Sequence, residues 1–196
     1  MTQTEQATER LSKPGAGKLP GDSHMWVMVL GDMVIFAGYF IVFVIYRAMN
    51  RQEFLLAQQH LDITVGVTNT VVLVTSSWFV ARAVQAVRAG QPDKSVRLIL
   101  AGGVGGVLFI GLKSYEWVRK IIAGHTNSEM FYSFYYVITG VHMIHVLIGL
   151  IVLGVLVREL RNPAARRPWM VEAGATYWHM VDLLWVIIFA LFYVMR

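Results

Sequence analysis

Five stretches of this chain are long and apolar enough to cross a membrane as helices. Lipid offers no partner to backbone amides, so about 20 mostly apolar helical residues are needed to bridge a hydrocarbon core of roughly 30 Å. The expected spans run from about Met25 to Tyr46, Ile63 to Ala81, Val96 to Leu112, Phe131 to Val157 and Gly174 to Met195. They account for a 196-residue composition that is 56% hydrophobic and only 15% charged, and they predict an all-α integral membrane bundle of five transmembrane helices. Residues 1–24 are polar, mixed in charge and rich in Gly, Pro, Ser, Thr and Gln, with no apolar run leading to a small-residue cleavage site. They read as a mobile tail and not as a signal peptide. The expected organisation is that tail followed by one membrane domain over 25–196, without internal repeats.

Each span has its own character. The first carries a single charge, Asp32. The second holds Thr64, Thr68, Asn69, Thr70, Thr75, Ser76 and Ser77, small polar residues that bond to backbone carbonyls or to a neighbouring helix, so it is expected inside the bundle. The third contains Gly102 and Gly106 in GxxxG register, a signal for close helix contact. The fourth opens with Phe131, Tyr132, Phe134, Tyr135 and Tyr136, which suit an interfacial belt. Lys113 and Glu116, at the outer end of span three, read as a surface pair of small energetic value, with Glu116 near enough to the apolar boundary to anchor a helix end.

The basic residues are clustered between apolar runs and not interleaved with aromatics, which argues for orientation in a membrane and against nucleic-acid binding. Eleven of the 17 Lys and Arg lie in the tail and the second and fourth connections. Positive-inside bias therefore predicts a cytoplasmic N-terminus and an external Arg196. There is no cysteine, so disulfides, iron-sulfur clusters, thiolate zinc and cysteine-bridged copper are excluded.

The informative positions are the ionisable groups at membrane depth: Asp32, His142, His145, His179 and Asp182. At about 1.5 Å rise per residue, they fall in the inner half of the bilayer on three helices that can meet. His142 and His145 share a face, as do His179 and Asp182, each pair being i, i+3, with Trp178 and Trp185 flanking. Three readings stay open. The groups can hold the bundle in register by hydrogen bonding, handle protons as intramembrane carboxylates and imidazoles do, or ligate a metal or haem through His142, His145 and His179. His24, His60 and His125 lie in the tail or loops and read as surface residues.

The run Thr139-Gly140-Val141-His142-Met143-Ile144-His145-Val146, with Tyr177-Trp178-His179-Met180-Val181-Asp182-Leu183-Leu184-Trp185 after a basic link, resembles the paired signature of haem-copper oxidase subunit III. Gly31-Asp32 with Phe36, and Asn69-Thr70 with Ser76-Ser77, resemble the same family. The resemblance covers about residues 24–196 and matches the short, five-helix form. The Ala123-Gly124 and Thr126-Asn127 link and the Ala175 to Trp185 run are similar to NorE-type accessory subunits of nitric oxide reductases. One departure is Lys113, where the family often carries Glu.

The resemblance implies a non-catalytic subunit of an oxidoreductase complex in the bacterial cytoplasmic membrane. It implies no haem or copper on this chain: haem, with copper or non-haem iron, would sit in a partner catalytic subunit. It also implies bound structural phospholipids, Asp32 as the membrane-embedded carboxylate, and His142, His145, His179 and Asp182 as the polar core beside it. The rival readings are a small membrane redox protein using the three core histidines and a proton-coupled carrier.

Overall fold

The computed structural model describes residues 23–124, 129–162 and 167–195, with the side chains of residues 23 and 24 left aside. Residues 1–22 of the tail expected over 1–24, the His24 side chain, His125, the Thr126-Asn127 link, Arg166 and Arg196 lie outside the described residues. Six α-helices follow one another: α1 (Ser23–Met49), α2 (Arg51–Gln59), α3 (Ile63–Arg88), α4 (Pro92–Ile122), α5 (Met130–Arg161) and α6 (Pro168–Phe189). A π-helical turn, Ala190–Val194, closes the described chain. Five of these helices, all but α2, are long and apolar enough to cross a membrane.

Local chemistry sets the ends. Asp62 caps α3 by accepting the Thr64 amide at 2.9 Å, which satisfies a donor that the helix cannot. Pro92 and Pro168 open α4 and α6, where a missing amide hydrogen costs nothing. Gly90 turns the chain between α3 and α4 with φ 70°, a conformation that disfavours any Cβ. The helices overrun the expected spans because polar residues continue a helix once it reaches the headgroup layer: α4 has 31 residues, or about 46 Å. The nine-residue α2 is polar and lies in what reads as a connection.

The innermost helix is α6. More than half of its most apolar window is buried, against a third or less in each other span. Span two, expected inside the bundle, does bond to neighbouring helices through Thr70, Ser76 and Ser77, but it is less buried than α6. α3 leaves Val67, Val71, Val74 and Trp78 exposed on one face, while Asn69 and Ser76 are buried on the other and Thr68 and Thr70 donate to the carbonyls of Thr64 and Gly66 on their own helix. α4 packs on α3 through glycine: a Cβ at Gly102 would meet Val80 at 2.7 Å, and one at Gly105 would meet Ser76 at 2.7 Å. Gly106, one turn on from Gly102, instead faces the Trp178 indole of α6, as Gly149 of α5 does. The aromatic opening of α5 is not a lipid-facing belt. Phe131, Tyr132 and Tyr135 are fully buried, and Phe131 meets Phe54 and Phe192 edge-to-face and Phe43 at a tilt, joining α2, the π turn and α1.

Candidate functional site: buried polar groups in the bundle

The polar groups expected at membrane depth divide among three settings. Asp32 of α1 faces His145 of α5, with Oδ1 3.5 Å from Nε2. The other ring nitrogen, Nδ1, lies 2.8 Å from the Val141 carbonyl, an acceptor only, so Nδ1 carries hydrogen. Nε2 of a neutral ring would then present a lone pair to a carboxylate. The contact is attractive only when the pair holds one further proton, as imidazolium with carboxylate or as imidazole with carboxylic acid. Phe36 closes one side of this pair, its ring 5.2 Å from the imidazole.

His179 and Asp182 of α6 turn toward α3. His179 Nδ1 is 2.6 Å from the Ser77 hydroxyl, so its partner is Ser77 and not the carboxylate one turn away, as i, i+3 spacing suggests. The same hydroxyl also faces Asp182, whose two oxygens have no hydrogen bond of ordinary geometry among the described residues. The flanking tryptophans donate to α3 as well: Trp178 Nε1 to Ser76 Oγ at 3.1 Å and Trp185 Nε1 to Thr70 Oγ1 at 3.0 Å. Ser76 in turn donates to the Gly102 carbonyl at 2.7 Å, so one hydroxyl ties three helices. His142 is completely buried between rings, stacked on Trp185 and edge-on to Phe109. The three histidines thus have different neighbours, and among the described residues no group of three His, Cys, Asp or Glu is placed to hold a metal ion.

The largest difference from sequence expectation is at Lys113 and Glu116. They are not a surface pair: Lys113 is fully buried and Glu116 nearly so. Lys113 Nζ donates to Glu116 Oε2 at 3.0 Å and to the hydroxyls of Tyr135 and Tyr193, each at 2.9 Å. Three acceptors around one nitrogen match the three hydrogens of an ammonium. Tyr193 passes its own hydrogen to the Glu116 carboxylate at 2.8 and 2.9 Å. The ammonium also lies over the rings of Tyr135 and Trp185, 4.5 and 5.1 Å from their centroids, which adds cation–π attraction in a dry setting. Gln58 of the unexpected α2 donates to the Leu191 and Phe192 carbonyls, acceptors that the π turn brings to its side. Gln58 and Tyr193 are partners that sequence reasoning missed; Tyr135 was expected in an interfacial belt, and Ser77 was singled out without its partner. A lysine closing an apolar run with a carboxylate three residues on was the available signal.

Residues 23–196 match the family model described as "Cytochrome c oxidase subunit III". The cytochrome c oxidase subunit 3 of Thermostichus vulcanus is 29% identical over 173 residues, covering 86% of this chain and 84% of that protein. The probable cytochrome c oxidase subunit 3 of Nocardia farcinica is 28% identical, with 87% and 85% covered. A protein of Aeropyrum pernix named "Heme-copper oxidase subunit I+III" is 30% identical over 186 residues, covering 87% of this chain and 22% of that longer protein. With a match across nearly all of its described length, a five-span bundle and relatives of the same size, this chain belongs to the cytochrome c oxidase subunit III family.

Proposed function

We propose that this chain is the non-catalytic accessory subunit of a haem-copper oxidase superfamily complex, packed against a separate catalytic subunit that carries the redox metals. The observation that supports this most is the Aeropyrum relative, whose name joins subunits I and III and which this chain matches over only a fifth of its length. A fusion of that kind keeps the two parts adjacent, and the same adjacency is expected here between separate chains. The main effect assigned to the subunit is stabilisation of its partner during turnover. A secondary effect is support of proton arrival: Asp32 beside His145 puts a carboxyl group and an imidazole together inside the bundle, the residue types that intramembrane proton pathways use.

Purification of the tagged chain from its native membranes in mild detergent tests the reading. It should bring down a much larger haem-bearing membrane subunit in constant ratio. Recovery of this chain alone, or a Soret band from the isolated chain, overturns it. The identity of the partner also separates oxygen from nitric oxide as the substrate of the complex. The run from Ala175 to Trp185 favours a NorE-type assignment, and a nitric oxide reductase in the purified complex would establish it. In the complex, Asp32→Asn should leave assembly intact and shorten the period over which full activity lasts. Unchanged activity over many turnovers would remove the proton-supporting role.

A further inference from the structure

We propose that the C-terminal end of α4 is a docking surface beyond the hydrocarbon, and that it receives an acidic extramembranous segment of the catalytic subunit. This rests on the accessory-subunit reading above and adds where the two chains meet. The depth of the surface follows from the length of its helix. The 31 residues of α4 extend about 46 Å, whereas the hydrocarbon core is roughly 30 Å thick. A span that begins near Val96 crosses that core by about residue 116, so the last turns stand beyond the acyl chains. Tyr115, Val118, Arg119 and Ile122 are spaced i, i+3, i+4 and i+7 there and share one face. All four are exposed, Ile122 to 80%. The other side of the same turns is engaged in the bundle, with Glu116 in the Lys113 knot and Trp117 edge-on to Tyr136 of α5. An aliphatic side chain open to lipid tails needs no partner. One that stands past them gains by meeting another protein.

Charge decides what kind of segment fits. The acidic groups beside this face are already engaged: Glu116 takes hydrogen bonds from Tyr193 and from the buried Lys113 ammonium, and Asp62 accepts the α3 amide that it caps. The bases are not offset in the same way. Lys120 donates to the His60 carbonyl, a neutral acceptor that leaves two of its hydrogens over. Among the described residues no carboxylate forms a salt bridge with Arg119. Its guanidinium lies over the Tyr115 ring, 6.0 Å from the centroid, with the donor fork open at its edges. Tyrosine and arginine are the side chains most often found at the energetic centre of an interface. The surface on offer is therefore an apolar stripe with a cationic rim, which selects acidic groups and repels basic ones. Tyr115, Arg119 and Lys120 also border a cavity of about 430 Å³ that reaches across to Asp62, with room for a partner carboxylate to meet the guanidinium fork-on.

Photo-crosslinking of the full-length chain in its native membranes tests the assignment, with Ile122→p-benzoylphenylalanine as the probe and purification through a tag on this chain. Irradiation should join position 122 to the haem-bearing subunit. Peptide mapping should place the link beside an Asp or Glu outside that subunit's spans. Charge reversal, Arg119→Glu with Lys120→Glu, should lower both the yield of that crosslink and the partner retained through a salt wash by roughly tenfold. If the double variant does not fold, the crosslink at position 122 decides alone, since it keeps both charges. Crosslinks confined to lipid, or to a second copy of this chain, overturn the proposal. A yield that charge reversal leaves unchanged overturns it too. In each of those cases, recovery of the haem-bearing subunit with the chain leaves the accessory reading standing. Absence of that subunit from the wild-type preparation removes the reading and the docking surface together.

Discussion

At the residue scale, the molecule satisfies its buried polar groups in ways that spacing along one helix does not reveal. Lys113 and Glu116 stand three apart, yet the groups that make their burial tolerable, Tyr135 and Tyr193, come from 22 and 80 residues beyond the lysine. Lys113→Met leaves the Glu116 carboxylate buried without its counter-charge, which should cost about 3–5 kcal/mol. Replacing both, Lys113→Met with Glu116→Leu, should restore at least half of the loss, because a buried ion pair is worth little against well-packed apolar residues. Equilibrium unfolding of the three variants in one detergent measures both effects. Ser77 is the second case. Its hydroxyl serves His179 and faces Asp182, so Ser77→Ala should destabilise by about 1–3 kcal/mol through unpaired buried groups. Asp182→Ala, by contrast, leaves the His179 partner in place and should cost less. Sequence pattern identified Asp32, His142, His145, His179 and Asp182 as the costly groups; it did not disclose their partners, because a hydroxyl two helices away has no periodic signature.

At the scale of elements, the five spans were legible in hydropathy, since the cost of an unsatisfied amide in lipid imposes a length on each. Their ends were not. Once a helix leaves hydrocarbon its hydropathy no longer marks it, and α4 continues from Leu112 to Ile122 through Lys113, Glu116, Arg119 and Lys120. α2 was invisible for a related reason: nine residues with few apolar positions carry no membrane signal, although Phe54 and Gln58 are buried. The glycines of α4 were legible as a contact surface but not as two surfaces. Gly102 and Gly105 admit α3, whereas Gly106 admits Trp178 of α6, which also occupies the space beside Gly149 of α5. A Cβ would stand 2.6 Å from the indole at Gly106 and 2.8 Å at Gly149. Gly106→Ala and Gly149→Ala should therefore each destabilise by about 1–3 kcal/mol through overpacking. Gly111, where a Cβ meets nothing within 4 Å, supplies the control. Gly111→Ala should be neutral or stabilising, since alanine favours a helix over glycine by about 1 kcal/mol. Thermal unfolding of all three would separate steric effects from propensity.

At the scale of the whole molecule, the bundle is built around α6, and α1 lies at its edge. One end of α1 is fastened by rings: Phe43 packs on Phe54, Phe131, Phe134 and Phe192, which joins α1 to α2, α5 and the π turn. Toward the other end, the Asp32–His145 pair gives it a polar attachment to α5. The arrangement is polarised in charge as well. Arg88, Lys94 and Arg97 flank the turn from α3 to α4 and Arg158, Arg161 and Arg167 flank the passage from α5 to α6, while the Lys113 knot and α2 occupy the opposite end. If positive-inside bias governs insertion, that end faces outward. The absence of cysteine from the sequence gives a clean background for deciding this. Gln91→Cys, in the turn before α4, should react with a membrane-impermeant maleimide only after the membrane is opened. Gln52→Cys, on the exposed side of α2, should react in intact spheroplasts. The reverse pattern would invert the bundle, place Asp32 and Asp182 toward the outer face, and move the Lys113 knot to the cytoplasmic end. Proton support from the cytoplasmic side would then not begin at Asp32 or Asp182.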